Sequence, residues 1–404
     1  MPKSKLAVLF GSRSTEHDVS VVSGLQLLEN VDKQKYEAYP VYVSRGGEWF
    51  IGEPLRDISF YKRFDPDARG LTRVYLPPVP KCGGLYSLQG GGLFQKAGAK
   101  AADMDCAILA FHGMHGEDGT MQGLFELADI PYSSVGVTGS GVGMDKIVMK
   151  AVFQSMGLPV LPAKYCYRTE WQKDPERILD EMETVGAYPL YVKPANLGSS
   201  IGIKRATDRE SLRQAIDVAA YYDRRILVEK GVRMRREINC ACLGYGADCE
   251  PSWCEQPVGK DELLDFGDKY LTGAKGRGMQ SLTRQIPAPI GEEMTRRIQN
   301  MTCEIFKMLE CKGVVRIDYM IDEADGAVYV NEINTIPGSF AFYLFEPMGI
   351  SYTKLIDRLV EYAFAAQKEK QGSAFAYESE LLEKAVLGGA KGAKGSKGGF
   401  SINK

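Results

Sequence analysis

Histidine is scarce in this chain: three residues in 404, with no cysteine pair at CxxC spacing and no apolar run near the ~20 residues of a membrane span. These gaps exclude zinc ribbons, histidine-rich metal centres and helical membrane bundles. Nine cysteines is an odd number. Cys240, Cys242, Cys249 and Cys254 fall loosely together, yet no histidine lies near them, so a structural zinc site is not expected. The thiols are read as reduced, in a cytoplasmic protein. Charge of one sign is lacking too. Lys and Arg number 50 against 52 Asp and Glu, a net of −2, which gives no electrostatic footprint for nucleic acid. The opening MPKSKLAVLFGS has only five apolar residues before Gly11, too few for a signal peptide. What remains is a globular composition, 44% hydrophobic and 25% charged, long enough for about two to four domains.

Strand and helix patterns alternate along the first half. Lys5–Phe10 reads as a buried strand that turns through Gly11–Ser14 into a helix carrying Val21, Leu25 and Leu28 at i, i+4 and i+7. A second strand is expected over Cys106–Gly113 and a helix over Thr120–Ala128, an order that favours a parallel sheet with helices on its faces. Between Gly47 and Asp103 the turn-rich GGEWF, PPVP and LQGGG predict short inserted strands. Asp145–Met156 reads as a helix stopped by Gly157 and Pro159. A small α/β section follows, with helices near Asp174–Val185 and Asp208–Ala220, and then a section with helices over Glu292–Leu309 and Tyr352–Ala366. The tail from Gly388, with four Lys, six Gly and no acid, has too little apolar surface to fold. There is no internal repeat.

Chemistry-bearing residues concentrate in three places. All three histidines lie beside glycine-rich turns that follow predicted strands: His17 in GSRSTEHDVS, and His112 and His115 in FHGMHGEDGT. Such turns sit at the sheet edge where open α/β folds bind ligands. The loop after Lys193 in YVKPANLGSSIGIK has the small residues that let backbone amides approach phosphate oxygens, although neither a Walker A nor a GxGxxG motif occurs. The third place is GVVRIDYMIDEADGAVYVNEINTIPGS, read as a hairpin with Arg316 and Asp318 on one face and Glu332 and Asn334 on one face. Oxygen donors without Cys or His suit Mg²⁺ that also holds nucleotide phosphates, with an Arg316 salt bridge to Asp318 or Glu332 as the alternative. Asp318 and Glu332 share a side only if opposed residues have an even index sum, so an odd-length loop or a bulge is expected at Glu323–Ala327.

Taken together, VLFGSRSTEHDVS, HGMHGEDGTMQGLFELADIPYSSVGV, MDK, VKPANLGSSIG, LVEK, DKY, RIDYM and NEINTIPG resemble, in order, the motifs of the D-alanine–D-alanine ligase family of ATP-grasp enzymes. The resemblance runs from Lys5 to about Ala366, apart from much of Gly47–Asp103. It implies an α/β fold of three domains: an N-terminal parallel-sheet domain over 1–140 that binds substrate, a central ATP-grasp subdomain over 141–232 and a C-terminal catalytic domain over 233–370. Residues 371–404 form the tail. ATP is enclosed between the central and C-terminal domains. The implied reaction phosphorylates the carboxylate of one D-alanine and lets the amine of a second attack the acyl phosphate, yielding D-alanyl-D-alanine for peptidoglycan. It is phosphoryl transfer governed by positioning and charge neutralisation.

By the same resemblance Lys146 and Lys193 hold the ATP phosphates and Glu229, Lys230 and Glu237 line the adenine and ribose pocket, while Ser200 and Lys269, the latter in the closing loop, also bind the cofactor. Asp318, Glu332 and Asn334 bind two Mg²⁺, for which Mn²⁺ can substitute. Arg316 and the Gly338 amide stabilise the oxyanion. Glu16 meets the ammonium of the first amino acid with His112 nearby, and Tyr270 of a closing loop pairs with Ser199 and Glu16. Where the resistance-type relatives making D-alanyl-D-lactate carry His, this chain has Tyr270, which favours an amine acceptor. Three departures stand out. Ser12 replaces a glycine, tolerable if its turn needs no positive φ. SFAFYLFEP puts Tyr343 at the family's serine that binds the second substrate's carboxylate, with Leu344 after it, which makes D-serine, D-lactate or another amino acid the alternative acceptor. The basic tail has no counterpart. The resemblance also implies a homodimer. A binding protein without catalysis would have lost a lysine or metal carboxylate, and none is missing; a nicotinamide-dependent dehydrogenase would need the absent glycine fingerprint.

Overall fold

The computed structural model describes residues 2–88, 98–232, 234–257, 284–375 and 377. Of these, the residues up to Gln367 form one compact unit. Among the described residues that unit holds three larger sheets and one two-stranded pair. The first is built on β1 (Ser4–Gly11), an almost wholly buried strand of Leu, Ala, Val and Phe, as expected where helices cover both faces of a parallel sheet. β2 (Tyr36–Val43) and β7 (Cys106–Leu109) pair parallel to it on either side. The insertion extends this sheet: β3 (Trp49–Ile51), β4 (Thr72–Tyr75), β5 (Gly84–Ser87) and β6 (Lys100–Asp103) add antiparallel strands beyond β2, in the order β6-β5-β4-β3-β2-β1-β7. The first sheet is therefore parallel only at its centre. β7 also stops at Leu109, leaving Phe111–Gly113 in the turn that carries His112.

Helix α1 (His17–Asn30) packs on β1 so closely that a Cβ at Gly24 would lie 2.3 Å from the Phe10 ring. α2 (Thr120–Ala128) and α3 (Val137–Met144) follow β7. Asp145 then caps α4 (Lys146–Ser155), accepting from the backbone N–H groups of Ile147 and Val148, and pairs with Arg225.

The second sheet is antiparallel, β10-β9-β11-β8, formed by β8 (Ala163–Tyr167), β9 (Leu190–Pro194), β10 (Lys204–Ala206) and β11 (Arg225–Lys230). α5 (Arg168–Lys173), α6 (Pro175–Glu183) and α7 (Arg209–Tyr222) are the helices of this segment. The strand after the serine loop runs only over Lys204–Ala206, and Ser199 and Ser200 ahead of it take left-handed φ of +52° and +59°.

The third sheet has the order β13-β12-β16-β17: β12 (Arg235–Tyr245), β13 (Asp248–Pro251), β16 (Lys312–Asp322) and β17 (Val328–Asn334), all antiparallel. A separate two-stranded pair joins β14 (Gln256–Pro257) to β15 (Arg284–Gln285). α8 (Gly291–Met308) buries Ile298, Met301, Ile305 and Phe306 in the core under this sheet, and α9 (Tyr352–Gln371) packs Leu355, Ile356 and Leu359 into the core of the first. No helix among the described residues is long and apolar enough to cross a membrane.

The β16–β17 register corrects one expectation and confirms its purpose. Asp318 faces Glu332 and Arg316 faces Asn334, but the extra residue is Asn331, in a bulge between Asp318 and Tyr319 of the partner strand, and not at Glu323–Ala327. Below the bulge the ladder runs Tyr319 to Val330 and closes through the Asp322 N–H on Ala327 O around a four-residue loop. The Glu-Ala-Asp-Gly end of the hairpin is thus even and ordinary, and the register is shifted where the acidic pair needs it.

Candidate active site

One cleft is lined by Glu16 from the first sheet's edge, Lys193, Ser199, Ser200, Glu229 and Lys230 from the second, and Glu237, Arg316, Asp318, Glu332, Asn334 and Tyr343 from the third sheet and the turn beyond it. Lys146 reaches it from the first residue of α4: its ammonium donates to Leu197 O at 2.7 Å and pairs with Glu332 at 3.3 Å. His112 and Gly338 are buried and are not among the residues lining it. Leu344 is fully buried in the hydrophobic core, so its side chain does not face a substrate there. Lys269 and Tyr270 lie outside the described residues.

Arg316 forks onto Asp318, Nε to Oδ1 at 2.7 Å and Nη2 to Oδ2 at 2.8 Å, so the salt bridge weighed against a metal site is present. Burial works against the Arg316 charge, and Asp318 more than offsets it. Asn334 donates Nδ2 to Asp318 at 3.1 Å, which turns its amide oxygen away from that contact. The donor set of two carboxylates and an amide, with no sulfur or imidazole, fits a hard divalent ion. Lys193 pairs with Glu229 and donates to Asn331 at 3.2 Å, which is what the bulge accomplishes: it aims Asn331 at the second sheet. Glu229 is buried between Lys193 and Lys150, the latter at 2.9 Å. From the cleft wall its carboxylate therefore orients both lysines.

Glu16 is gripped by the Ser199 hydroxyl, and the loops close on it only because Gly113 and Gly198 lack side chains; a Cβ at either would lie 2.6 or 2.5 Å from Glu16 Oε2. Ser12 does take a positive φ, +88°, so its turn needs the conformation that glycine adopts freely. The turn holds it with Ser12 N–H on Val43 O (2.8 Å), Ser12 Oγ on Met114 O (3.2 Å) and its carbonyl 2.7 Å from His17 Nδ1. His17 is thereby a structural residue of the turn. His112 sits 2.8 Å from Ser23 Oγ, which also accepts from the Ser339 N–H at 3.3 Å. Ser339, Phe340 and Ala341 all lie in the left-handed region, an unfavourable run for L-residues, with Ser339 Oγ donating to Gln26 at 2.6 Å.

Sequence reasoning missed Glu255 and Arg284, and gave Glu117, an acid of the FHGMHGEDGT turn, no role of its own. Glu117 ties the first sheet's turn to the third sheet by accepting from Gly113 N–H (2.9 Å) and Ile336 N–H (2.8 Å). Burial, and then the Glu16 charge, push it up to about 8. Glu255 is buried, accepts from Tyr343 OH at 3.0 Å and pairs with Arg284 at 3.3 Å, while the Arg284 guanidinium lies 4.0 Å from the Tyr343 ring centre. Nothing in the spacing of PSWCEQP sets Glu255 apart; only the folded register of β12 against the segment ahead of β14 brings it to the cleft.

Burial lowers His112 to about 4, so the ring is neutral at pH 7. The unfolded chain takes up that proton near pH 6.5 and the folded protein does not until about 4, so the folding stability from this group is complete above 6.5 and is lost as pH falls through 4. The loss is on the order of 3 kcal/mol. His112→Gln is expected to flatten that limb of an acid-unfolding titration.

Two antiparallel sheets gripping lysines on one side and an acidic, oxygen-donating pair on the other define an ATP-grasp architecture. Family profiles described as "D-ala D-ala ligase N-terminus" and "D-ala D-ala ligase C-terminus" match residues 5–135 and 152–361. The chain belongs to the D-alanine–D-alanine ligase family. A D-alanine–D-alanine ligase of Heliobacterium modesticaldum is 38% identical over 93% of this chain and 98% of its own length; that of Thermosipho melanesiensis is 34% identical over 91% and 95%. Among solved structures, the VanG D-Ala:D-Ser ligase of Enterococcus faecalis superposes with a TM-score of 0.74 at 28% identity, covering 90% of this chain and all of that one. The D-alanine–D-alanine ligase of Coxiella burnetii gives 0.73 at 26%, covering 95% and 100%.

Proposed function

We propose that this chain joins two molecules of D-alanine into D-alanyl-D-alanine at the expense of ATP, in the cytoplasm, for peptidoglycan synthesis. The observation that carries it is the register that sets Asp318 against Glu332 and Arg316 against Asn334, facing Lys146 and Lys193. Asp318, Glu332 and Asn334 hold the divalent ions, taken as two Mg²⁺, whose chemistry is to neutralise phosphate charge and polarise the transferred group. Lys193, oriented by Glu229 and Asn331, and Lys146, held by the Leu197 carbonyl, present fixed positive charge to the phosphates. Glu16 receives the ammonium of the first D-alanine in exchange for the Ser199 hydroxyl. The first D-alanine's carboxylate takes the terminal phosphoryl group, and the second D-alanine's amine then displaces phosphate. Arg316, kept charged by Asp318, and the Gly338 amide stabilise the oxyanion formed in that attack. The family resemblance carries a homodimer and the closing role of Lys269 and Tyr270.

The experiment is phosphate release from ATP with a divalent ion, comparing D-alanine alone against D-alanine mixed with D-serine, D-lactate or other amino acids, with products identified by mass. Turnover on D-alanine alone, giving the D-alanine dipeptide, is the expected result. Phosphate release only with a mixed pair renames the product, and silence across the panel with ATP still bound overturns the reading.

One observation favours a second acceptor. Tyr343, where the family carries a serine, is buried with its hydroxyl on Glu255 and Arg284 over its ring, so the acceptor wall is bulkier and carries an extra ion pair. Burial, then Glu255, raise the Tyr343 hydroxyl, which keeps it a donor at all working pH. Tyr343→Ser is expected to change the ratio of kcat/KM between D-alanine and D-serine as acceptor by tenfold or more, about 1.4 kcal/mol, with the KM for ATP unmoved. An unaltered acceptor ratio would show that Tyr343 does not line the pocket.

A further inference from the structure

The face of the third sheet turned away from the cleft carries a group of thiols that the ligase chemistry does not use. Cys242 is on β12, Cys249 on β13 and Cys303 on α8, and their sulfur atoms all lie within 4.8 Å of one another. Cys242 is fully buried, while Cys249 and Cys303 are half-buried, so the group opens to solvent on one side. None of the nine cysteines is in a disulfide. In sequence the trio is invisible: Cys303 is 54 residues beyond Cys249, and only α8 crossing β12 and β13 brings it in.

We infer that Cys242, Cys249 and Cys303 form a thiolate site for a thiophilic metal ion, ordinarily Zn²⁺. Zinc–sulfur bonds of ~2.3 Å in a tetrahedral arrangement require sulfurs about 3.8 Å apart, a small closure from separations no greater than 4.8 Å. Three protein ligands leave the fourth tetrahedral position for a water, and the open side beside Cys249 and Cys303 supplies it. Binding displaces the thiol protons to solvent, with no change of oxidation state. Three thiolates around a divalent ion leave one net negative charge. Lys307, one helical turn beyond Cys303, supplies compensating charge beside the trio, with Glu304 the opposing acid on the same helix. The consequence is structural. The ion fastens α8 to the hairpin of β12 and β13, and the opposite face of β12 presents Glu237 and Asn239 to the cleft. The Asp318, Glu332 and Asn334 set is built from oxygen, so the two sites select different metals.

The test is Co²⁺ added to the reduced full-length protein without nucleotide. A thiolate-to-cobalt charge-transfer absorption saturating at one ion per chain, bleached by Zn²⁺, is expected; an ion at the oxygen donors gives no such band. Cys303→Ala and the double variant Cys249→Ala/Cys303→Ala should lose it. Both side chains are only half-buried, so the fold should survive, as circular dichroism and retained ligase turnover would show. Cys254→Ala, at the neighbouring Cys240–Cys254 pair, should keep the band. Zn²⁺ should raise the melting temperature of the wild type and not that of the double variant. Absence of the band in folded protein, its persistence in the double variant, or its loss in Cys254→Ala alone overturns the assignment.

Discussion

Glu332→Gln is expected to lower kcat by a thousandfold or more while leaving the melting temperature within a few degrees of the parent. The substitution keeps the size and one oxygen of the side chain and removes one negative charge from the set proposed to hold the divalent ions. Removing a single well-placed group that stabilises charge in a transition state costs about 3–4 kcal/mol, a factor of 10²–10³, and loss of an ion adds to that. Stability should change little, because the Glu332 side chain is 26% exposed and its partner Lys146 retains the Leu197 carbonyl. The measurement is phosphate release at saturating ATP, D-alanine and Mg²⁺, repeated with excess Mn²⁺. Partial rescue by Mn²⁺ would place the defect in ion binding. Full activity in the variant would remove Glu332 from the metal site.

Much of this site was legible because its residues sit where their chemistry conflicts with their surroundings. Arg316, Asp318, Glu332 and Asn334 interrupt strands of Val, Ile and Tyr, and a charge in such a strand needs a partner or an ion. The index-sum condition then required an irregularity in the hairpin. Its place was not legible, since a bulge at Asn331 and an odd turn satisfy the parity equally, and only the bulge also delivers Asn331 to Lys193. Glu255, Arg284 and Cys303 escaped for a common reason. Each is a single residue whose partners are remote in sequence, so spacing holds no record of the contact. The Ser339–Ala341 run escaped for another: a left-handed backbone at non-glycine residues is imposed by tertiary hydrogen bonds and leaves no compositional trace, whereas Ser12 is marked in the sequence by standing where a glycine is usual. The parallel sheet was expected from strand–helix alternation, and short inserted strands from the insertion's turn-rich sequence, but not their antiparallel extension of that sheet. The pairing of β3 to β2 that joins the two could be seen only in the fold.

Glu229→Gln should produce the largest loss of stability of any conservative change near the cleft. Glu229, Lys150 and Lys193 are nearly inaccessible, and one carboxylate answers two ammonium groups. Burial pushes the Glu229 carboxyl up, yet Lys150 and Lys193 together hold it down to about 2. Deleting the negative member of a buried ion pair leaves uncompensated charge, a loss of about 3–5 kcal/mol. Lys150→Met should be milder, because Glu229 keeps Lys193, and adding it to Glu229→Gln should recover part of the loss by removing one stranded cation. The pH dependence carries an independent signature. A carboxylate depressed from about 4.5 to about 2 contributes stability that is complete above 4.5 and is lost as pH falls through 2, so the wild type should weaken across that window and Glu229→Gln should not. Chemical denaturation at pH 7 and at about pH 2.5 separates the two effects. A deficit that is large at pH 7 and narrows as the pH falls through that window is the expected pattern. A variant as stable as the parent at pH 7 would mean that the lysines find other partners, and that Lys193 is not held for the phosphates by Glu229.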